Sequence, residues 1–582
     1  MKTRLLGVAA LLHVGQLLSF GPHTFFAPRS QALNAVRDLV GVQQLIPRQY
    51  PGISLWPSRD DKECGKSYTV LSAAVEYNRS FQPSRMSEYL FGCNPCMTFS
   101  GSQVPYRGAN DILADYFGLP SDFQSTVSFN PTISNVILDL NGFWGMDDWV
   151  PGLYFQLHVP LVHTRWDLNL CEKIQDNGSD FFPAGYMGPT RINRDQLPTS
   201  VTQVLSGNTR FGDMNDPLRF GKVCGDQKLT CLSEIHATLG WNYVAAETWH
   251  VGFGLRSALR TSGVSTAQWL FEPIVGNCGH FELGGSITSH WDFWEHKNHK
   301  LAFYLDANIT HLFGSTQMRS FDLCNGNGSR YMLLEHFNTP TYDVQNASHV
   351  APNFQYQGGL TPAINQTTLA TNTSFSVQGD VVLKFAYLYK HWEFDLGYDF
   401  FGRSAEKAGC RQALPSNLFA IKGDAQIYGF NLNEVSIPLS ASESNATINA
   451  GQGATNFVSP NQFRNLNADN PALAFTMNAS PSSPLTQLNT HDAGTLNITQ
   501  EQVYSSFNPI LLTDANINVC SGLMPRALSN KFFVNVTHIW QDVQCIVPYA
   551  CAGASGEWSQ GNAVNNSTDS QWAVWVKGGI TY

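Results

Sequence analysis

Gln571-Trp572-Ala573-Val574-Trp575-Val576-Lys577-Gly578-Gly579-Ile580-Thr581-Tyr582 closes the chain and decides how the rest is read. Back from Tyr582, every second residue is apolar or small: Ile580, Gly578, Val576, Val574 and Trp572. The other face carries Thr581, Lys577 and Gln571, with Trp575 interrupting it. An extended strand separates two faces at period two, and a helix does not. So continuous an apolar face must be kept from water, by a packed interior or by hydrocarbon.

The same alternation recurs upstream. In 301–313, Leu301, Phe303, Leu305, Ala307, Ile309 and Phe313 oppose Tyr304, Asp306, Asn308 and Thr310. The preceding segment sets Leu283, Ile287, Trp291 and Phe293 against Glu282, Ser286, His290 and Asp292, across a short polar link at 295–300. That pattern predicts a hairpin. Two further hairpins follow the rule, 235–243 with 251–259 and 377–389 with 392–400. The last strand has one largely aromatic face, Trp392, Phe394, Leu396, Tyr398 and Phe400, and one acidic face, Glu393, Asp395 and Asp399. Weaker alternation marks 66–79, 123–144, 152–168, 530–541 and 551–561. Within 123–144 the phase shifts near residues 131–135, which predicts a bulge.

Twelve strands result, and their connections alternate in length without exception. The long ones are 80–122, 169–232, 314–375 and 404–529, with medium ones at 261–277 and 562–570. Short turns fall at 145–151, 245–248, 294–300, near 390 and at 542–550. Tryptophan and tyrosine gather at those turns: Trp144, Trp149, Tyr243, Trp249, Trp291, Trp294, Tyr389, Trp392 and Trp540, with Tyr582 at the end. Such rings prefer the headgroup layer of a bilayer, where an apolar body and a polar N–H or O–H are both satisfied.

Composition agrees. The 582 residues are 43% hydrophobic and only 14% charged, with 12% aromatic. A soluble domain carries about 25% charged residues. No uninterrupted apolar run of about 18 residues follows the N-terminus, which excludes spanning helices. A large secreted β-sandwich is the alternative, and it would bury the apolar faces between two sheets.

Lys2 and Arg4 followed by the apolar stretch 5–18 predict an export signal, with cleavage after Gly21 or Ala27. The organisation expected is a signal peptide at 1–27, a periplasmic segment at 28–65 and a transmembrane barrel at 66–582. Twelve cysteines in an exported chain point to an oxidising compartment. Cys171 with Cys231 or Cys224, Cys278 with Cys324, Cys410 with Cys520 and Cys545 with Cys551 are candidate bridges tying down loops. Cys93 and Cys96 have the spacing of half a zinc or redox site, without a second half.

No Gly-x-Ser-x-Gly, phosphate-binding loop or His-Glu-x-x-His is present, so no catalytic residue, metal or cofactor is assigned. His290, Asp292 and His311 could contribute to a rim hydrolase, but such groups are ordinary in a polar channel. The net charge of −10 and the lack of a long basic run give no reason to expect nucleic acid.

The terminal strand and the architecture of 66–582 resemble bacterial outer-membrane β-barrels of the porin class. The resemblance implies a closed antiparallel up-and-down transmembrane barrel in the outer membrane, with short periplasmic turns and long extracellular loops. No functional residue carries over from it. The inward parity then names the pore-lining set: Arg256, Arg260, Glu282, His290, Asp292, Asp306, Lys384, Glu393, Asp395 and Asp399. The expected function is passive diffusion of small hydrophilic solutes or ions, with a preference for cations. The expected partners are the lipid bilayer and those solutes. A surface structural or adhesive barrel with a plugged lumen, and a secreted β-rich binding protein, are the alternatives.

Overall fold

In the computed structural model, the described residues are 22–33, 36–37, 68–92, 96–337 and 356–581, apart from 106, 109, 183–186, 189, 247, 423–427, 431–435, 439–446, 450–510 and 541–545. Twelve long strands form one closed antiparallel sheet. They are β1 (Tyr68–Ser80), β2 (Thr132–Gly145), β3 (Leu153–Asp167), β4 (Ile235–Ala245), β5 (Trp249–Leu259) and β6 (Glu282–His296). The circuit continues through β7 (His299–Ser320), β8 (Thr368–Tyr389), β9 (Trp392–Arg403), β10 (Ala527–Ile539), β11 (Val547–Ser559) and β12 (Gln571–Thr581). Each pairs with its neighbours in sequence, and β12 returns to β1 from Val70↔Thr581 to Ser80↔Gln571. Closure leaves no unpaired edge, which is what lets a sheet cross hydrocarbon.

The period-two reading holds along every barrel strand. Leu396 and Val576 are 59% and 63% exposed on the outside, whereas their strand neighbours Asp395 and Lys577 are buried inside. No second sheet covers Phe394, Leu396 or Tyr398, so the sandwich is excluded and hydrocarbon takes that place. Trp575, the interruption in the terminal strand, points inward and donates its indole N–H to Asn535 Oδ1 at 3.2 Å. Gly553 makes room for it, since a Cβ there would stand 2.4 Å from the indole ring.

At the short-turn end, Trp149, Tyr243, Trp249, Trp291, Trp294, Tyr389, Trp392 and Trp540 are exposed and Trp144 is half-buried. Tyr582 lies outside the described residues. A second ring of aromatics, absent from the sequence reading, stands at the other end: Tyr77 against Trp572, and Phe81, Trp558, Phe532 and Tyr398 in sequential contact. Tyr77 pairs with Val136, and Trp144 lies further down that same strand. The two rings are therefore about 27 Å apart along it. A strand tilt of about 40° reduces this to about 20 Å, close to the apolar band of such barrels.

This belt yields a prediction. Leu396→Arg should cost about 2–4 kcal/mol of folding stability in lipid vesicles, because the charge sits deep in the apolar band. Leu396→Ala is the control. A cost under about 1 kcal/mol from urea titration would remove hydrocarbon from this face.

The segment 123–144 is not one bulged strand. Gln124–Ser128 joins Cys96–Ser100, Ile112–Leu113 and Cys171–Asp176 in a separate four-stranded sheet, and β2 starts at Thr132. Ile133 already belongs to β2 and is buried in the cap core, whereas Val136 on the same strand is exposed outside, so the phase shift marks where one unbroken strand passes from the cap core to the lipid-facing wall. Beyond the outer aromatic ring, the long connections fold into a cap with its own apolar core. Phe99, Phe117, Phe123, Trp166, Phe182, Phe271 and Phe321 are buried together there. Within 418–430, Phe419–Ile421 extends a cap sheet beside Leu333–Phe337. The polar stretches 440–446 and 467–487 lie outside the described residues.

The expected bridges among the described cysteines are not formed: Cys171, Cys224, Cys231, Cys278, Cys324, Cys410, Cys520 and Cys551 carry no disulfide. The Cys278 carbonyl accepts from Ser315 and Gln317, whereas the backbone of Cys324 binds Asn516. Cys545 and Cys93 lie outside the described residues.

Candidate functional site

The lumen is the candidate site, and it is filled. Residues 22–33 and 36–37, read from the sequence as signal peptide and periplasmic segment, lie within the cap and the barrel. The segment enters at the cap, where His23 N–H donates to Tyr89 O and Thr24 N–H to Ser521 O, each at 2.9 Å. Phe25 and Phe26 insert into the cap core. From there the chain descends to the middle of the barrel. The physical reason is electrostatic: the inner wall is rich in carboxylates, and this segment brings two arginines to them.

Arg29 is the upper anchor. Its guanidinium lies 2.8 Å from Asp380 Oδ2, 2.9 Å from Asp399 Oδ2 and 3.5 Å from Glu557 Oε1. Its Nε donates to Leu33 O at 2.9 Å, and the Phe401 ring covers it at 5.0 Å. Lys531, from the wall itself, stands 3.5 Å from Asp399 and 3.6 Å from Glu557. Arg37 is the lower anchor, 3.0 Å from Asp139 and 3.3 Å from Glu76. Between them, Ser30 Oγ donates to Glu234, and Gln31 Oε1 accepts from Gly276 N at 2.8 Å.

Glu234 sits at a register break. The strand Gln227–Leu232 pairs with the upper part of β3 as Leu161↔Leu232, and β4 pairs below as His158↔His236. One extra residue is accommodated between these pairs. Bulges re-aim side chains; here the Glu234 carboxylate also accepts from Ser233 Oγ at 2.7 Å and Asn277 N at 3.0 Å. The plug is thus tied to the wall by polar contacts at several heights. One void between plug and wall, lined by Arg29, Glu76, Asn78, Asn135, Asp569 and Gln571, measures about 30 Å³. That is room for about one or two waters.

Of the residues named from parity, Glu282, His290, Asp292, Lys384, Glu393, Asp395, Asp399 and Arg256 are buried on the inner face, and Asp306 is half-buried there. Lys384 binds Glu393 at 2.9 Å and Asp395 at 3.3 Å. Arg260 departs from the expectation: it lies beyond the end of β5, is exposed, and donates to Gly314 O at 2.6 Å. His311 faces outward while His290 and Asp292 face inward, so the three cannot form one hydrolytic site. Among the described residues no group of His, Cys, Asp and Glu has metal-binding geometry. The sequence reading missed Arg29, Arg37, Asp139, Glu234 and Glu557. The available signal was the surplus of carboxylates on the inner wall, because buried charge requires partners.

Two cap histidines make stability depend on acid. His280 is buried, contacts Phe313 O at 2.7 Å, and burial holds its pKa down to about 4. Burial lowers that of His23 as well. Folded His280 stays neutral down to about pH 4, folded His23 takes up its proton at lower pH than when unfolded, and both bind a proton at about 6.5 in the unfolded chain. Stability is therefore full above pH 6.5 and falls as pH drops from 6.5 toward 4. The His280 contribution alone should remove roughly 2 kcal/mol by pH 5. Urea midpoints taken from pH 7.5 to 4.5 should show this slope, and His280→Gln should flatten it.

The fold and its plug define a class: a closed twelve-stranded transmembrane barrel of the bacterial outer-membrane type, with its N-terminal segment folded into the lumen. No protein-family model matches the chain, and no curated protein matches it. Among solved structures, an outer-membrane channel from Pseudomonas putida F1 is similar at 8% identity, covering 88% of this chain and 95% of that one, with a TM-score of 0.28. A FadL homologue of Pseudomonas aeruginosa is similar at 9% identity, covering 89% of each chain, with a TM-score of 0.23. The monoaromatic hydrocarbon channel TodX, in a variant form, is similar at 9% identity over 89% of each chain, with a TM-score of 0.25. Superpositions this loose say nothing about the lumen.

Proposed function

We propose that the protein is a porin-like channel for small hydrophilic solutes, preferring cations, and that this structure is its closed state. The observation that carries the reading is the manner of closure. The plug is a separate segment, and its two arginines grip the wall through ion pairs with five carboxylates, beside apolar contacts of Leu33 with Phe401 and of Val36 with Tyr304, Val382 and Phe533. A permanent filling needs no separate segment, because the side chains of the strands themselves fill a narrow barrel. Charged inner walls are tolerated where water reaches them, and they select ions by sign. With the plug aside, Glu76, Asp139, Asp380, Asp399 and Glu557 lose their arginine partners and face the passage.

The folded cap favours a second reading, a surface structural or adhesive barrel whose lumen stays shut. Planar-bilayer recording under a KCl gradient separates the two. The channel reading expects openings whose reversal potential lies on the cation side. Silence from a barrel freed of its plug, or a reversal potential on the anion side, would overturn it.

A further inference from the structure

Arg29 occupies a receptor built from three strands of the wall. Asp380 on β8, Asp399 on β9 and Glu557 on β11 surround the guanidinium, and Phe401 offers its face. Carboxylates matched to a planar fork, with an aromatic face beside them, are the standard means of recognising guanidinium and ammonium groups. The receptor also extends past what Arg29 uses. Asn308 on β7 pairs in register with Asp380 and, on its other side, with Ser286 of β6. All three side chains face inward at one height. Asn308 is 4% exposed, yet among the described residues neither its Oδ1 nor its Nδ2 has a hydrogen-bond partner, and Ser286 Oγ and the neighbouring Gln378 Nε2 also lack one. Buried polar atoms normally find partners, and leaving them bare costs free energy. Next to a cradle filled by an arginine, these donors and acceptors mark the place for the rest of a ligand.

We propose that this stretch of wall is a binding site for small organic cations bearing a guanidinium or primary ammonium head and a short polar tail, and that Arg29 is its built-in competitor. The head takes the Asp380–Asp399–Glu557 cradle, and a donor on the tail reaches Asn308 Oδ1 and Ser286 Oγ. Entry of such a solute then displaces Arg29 and frees the upper half of the plug, so that the transported class is also the opening signal. This rests on the channel reading given above.

The probe is agmatine, with arabinose and glutamate as neutral and anionic controls, on the full chain in detergent and in bilayers. Calorimetry should show agmatine binding to the wild type, and Arg29→Gln should tighten it about tenfold or more, because the cradle is no longer occupied from within. Asn308→Leu should weaken it. In bilayers agmatine should raise the opening frequency of the wild type, and hydrogen exchange should show residues 22–33 less protected with agmatine than with either control. An affinity that is unchanged or weaker in Arg29→Gln, or equal exchange with all three solutes, overturns the site. The two readings fail separately. A barrel that passes KCl but ignores agmatine loses the site and keeps the channel. One that binds agmatine yet never conducts loses the channel and keeps the site.

Discussion

Deleting residues 22–37 should turn a closed barrel into one that conducts continuously and selects cations. The segment is held at two heights by buried arginine–carboxylate pairs, Arg29 with Asp380 and Asp399, and Arg37 with Asp139 and Glu76. Breaking one buried pair costs about 3–5 kcal/mol. The loss of one anchor's worth shifts the ratio of closed to open states by about a hundredfold at the low end of that range and by about a thousandfold or more at the high end. The deletion removes both anchors together with the steric block. It also uncovers the wall carboxylates, so current and cation selectivity should rise together. A double variant, Arg29→Gln with Arg37→Gln, keeps the steric bulk and should give intermediate, flickering openings. Bilayer conductance and reversal potential read both effects. A deleted barrel that still folds, judged by its resistance to heat in SDS, and yet passes no current would show that something other than this segment closes the lumen.

The second large effect lies where plug, cap and barrel meet. Arg319, on the part of β7 that rises beyond the outer aromatic ring, is fully buried with Glu406. Its guanidinium contacts Glu406 at 2.7 and 3.3 Å, Gln317 Oε1 at 2.9 Å and Gly522 O at 3.2 Å. Its other face lies 3.3 Å from the Phe25 ring of the plug. Glu406 in turn accepts from Met524 N at 2.8 Å. Arg319→Ala leaves that carboxylate charged and buried without its partner, and should destabilise the protein by about 3–5 kcal/mol. Phe25 loses its seat in the same step, so the plug should loosen and openings become more frequent. The double variant Arg319→Met with Glu406→Leu should recover much of the stability, because the uncompensated charge is gone. Urea midpoints for the single and double variants decide this; a single variant within about 1 kcal/mol of the wild type would mean that water reaches the pair.

Much of the barrel was legible because its information is local. Side chains alternate across a strand, hydrocarbon tolerates only one kind of side chain on the outside, and a closed up-and-down barrel lets both facts be read strand by strand. Leu396 beside Asp395, and Val576 beside Lys577, show how sharp that contrast is in the folded protein. The phase shift in 123–144 was equally visible, but its cause was not. A bulge and an unbroken strand whose apolar side switches from the cap core to the lipid leave the same trace in a one-dimensional pattern, and only the uninterrupted register of Thr132–Gly145 with its neighbours distinguishes them. The cap was hidden for a different reason. Its core draws Phe99, Phe182 and Phe271 from separate connections, with no period to announce them.

The chain order of residues therefore determined the number of strands, their antiparallel closure, the sides of the wall and the end at which the turns are short. Each depends on neighbours one or two positions apart. Tertiary structure alone decided that a segment of the chain occupies the lumen, which cysteines stay free, and where Arg29 and Arg37 go. Those outcomes join residues tens to hundreds of positions apart, such as Arg37 with Glu76 and Arg29 with Glu557. The attraction that joins them, between charges withdrawn from water, acts through space and leaves no periodic mark along the chain.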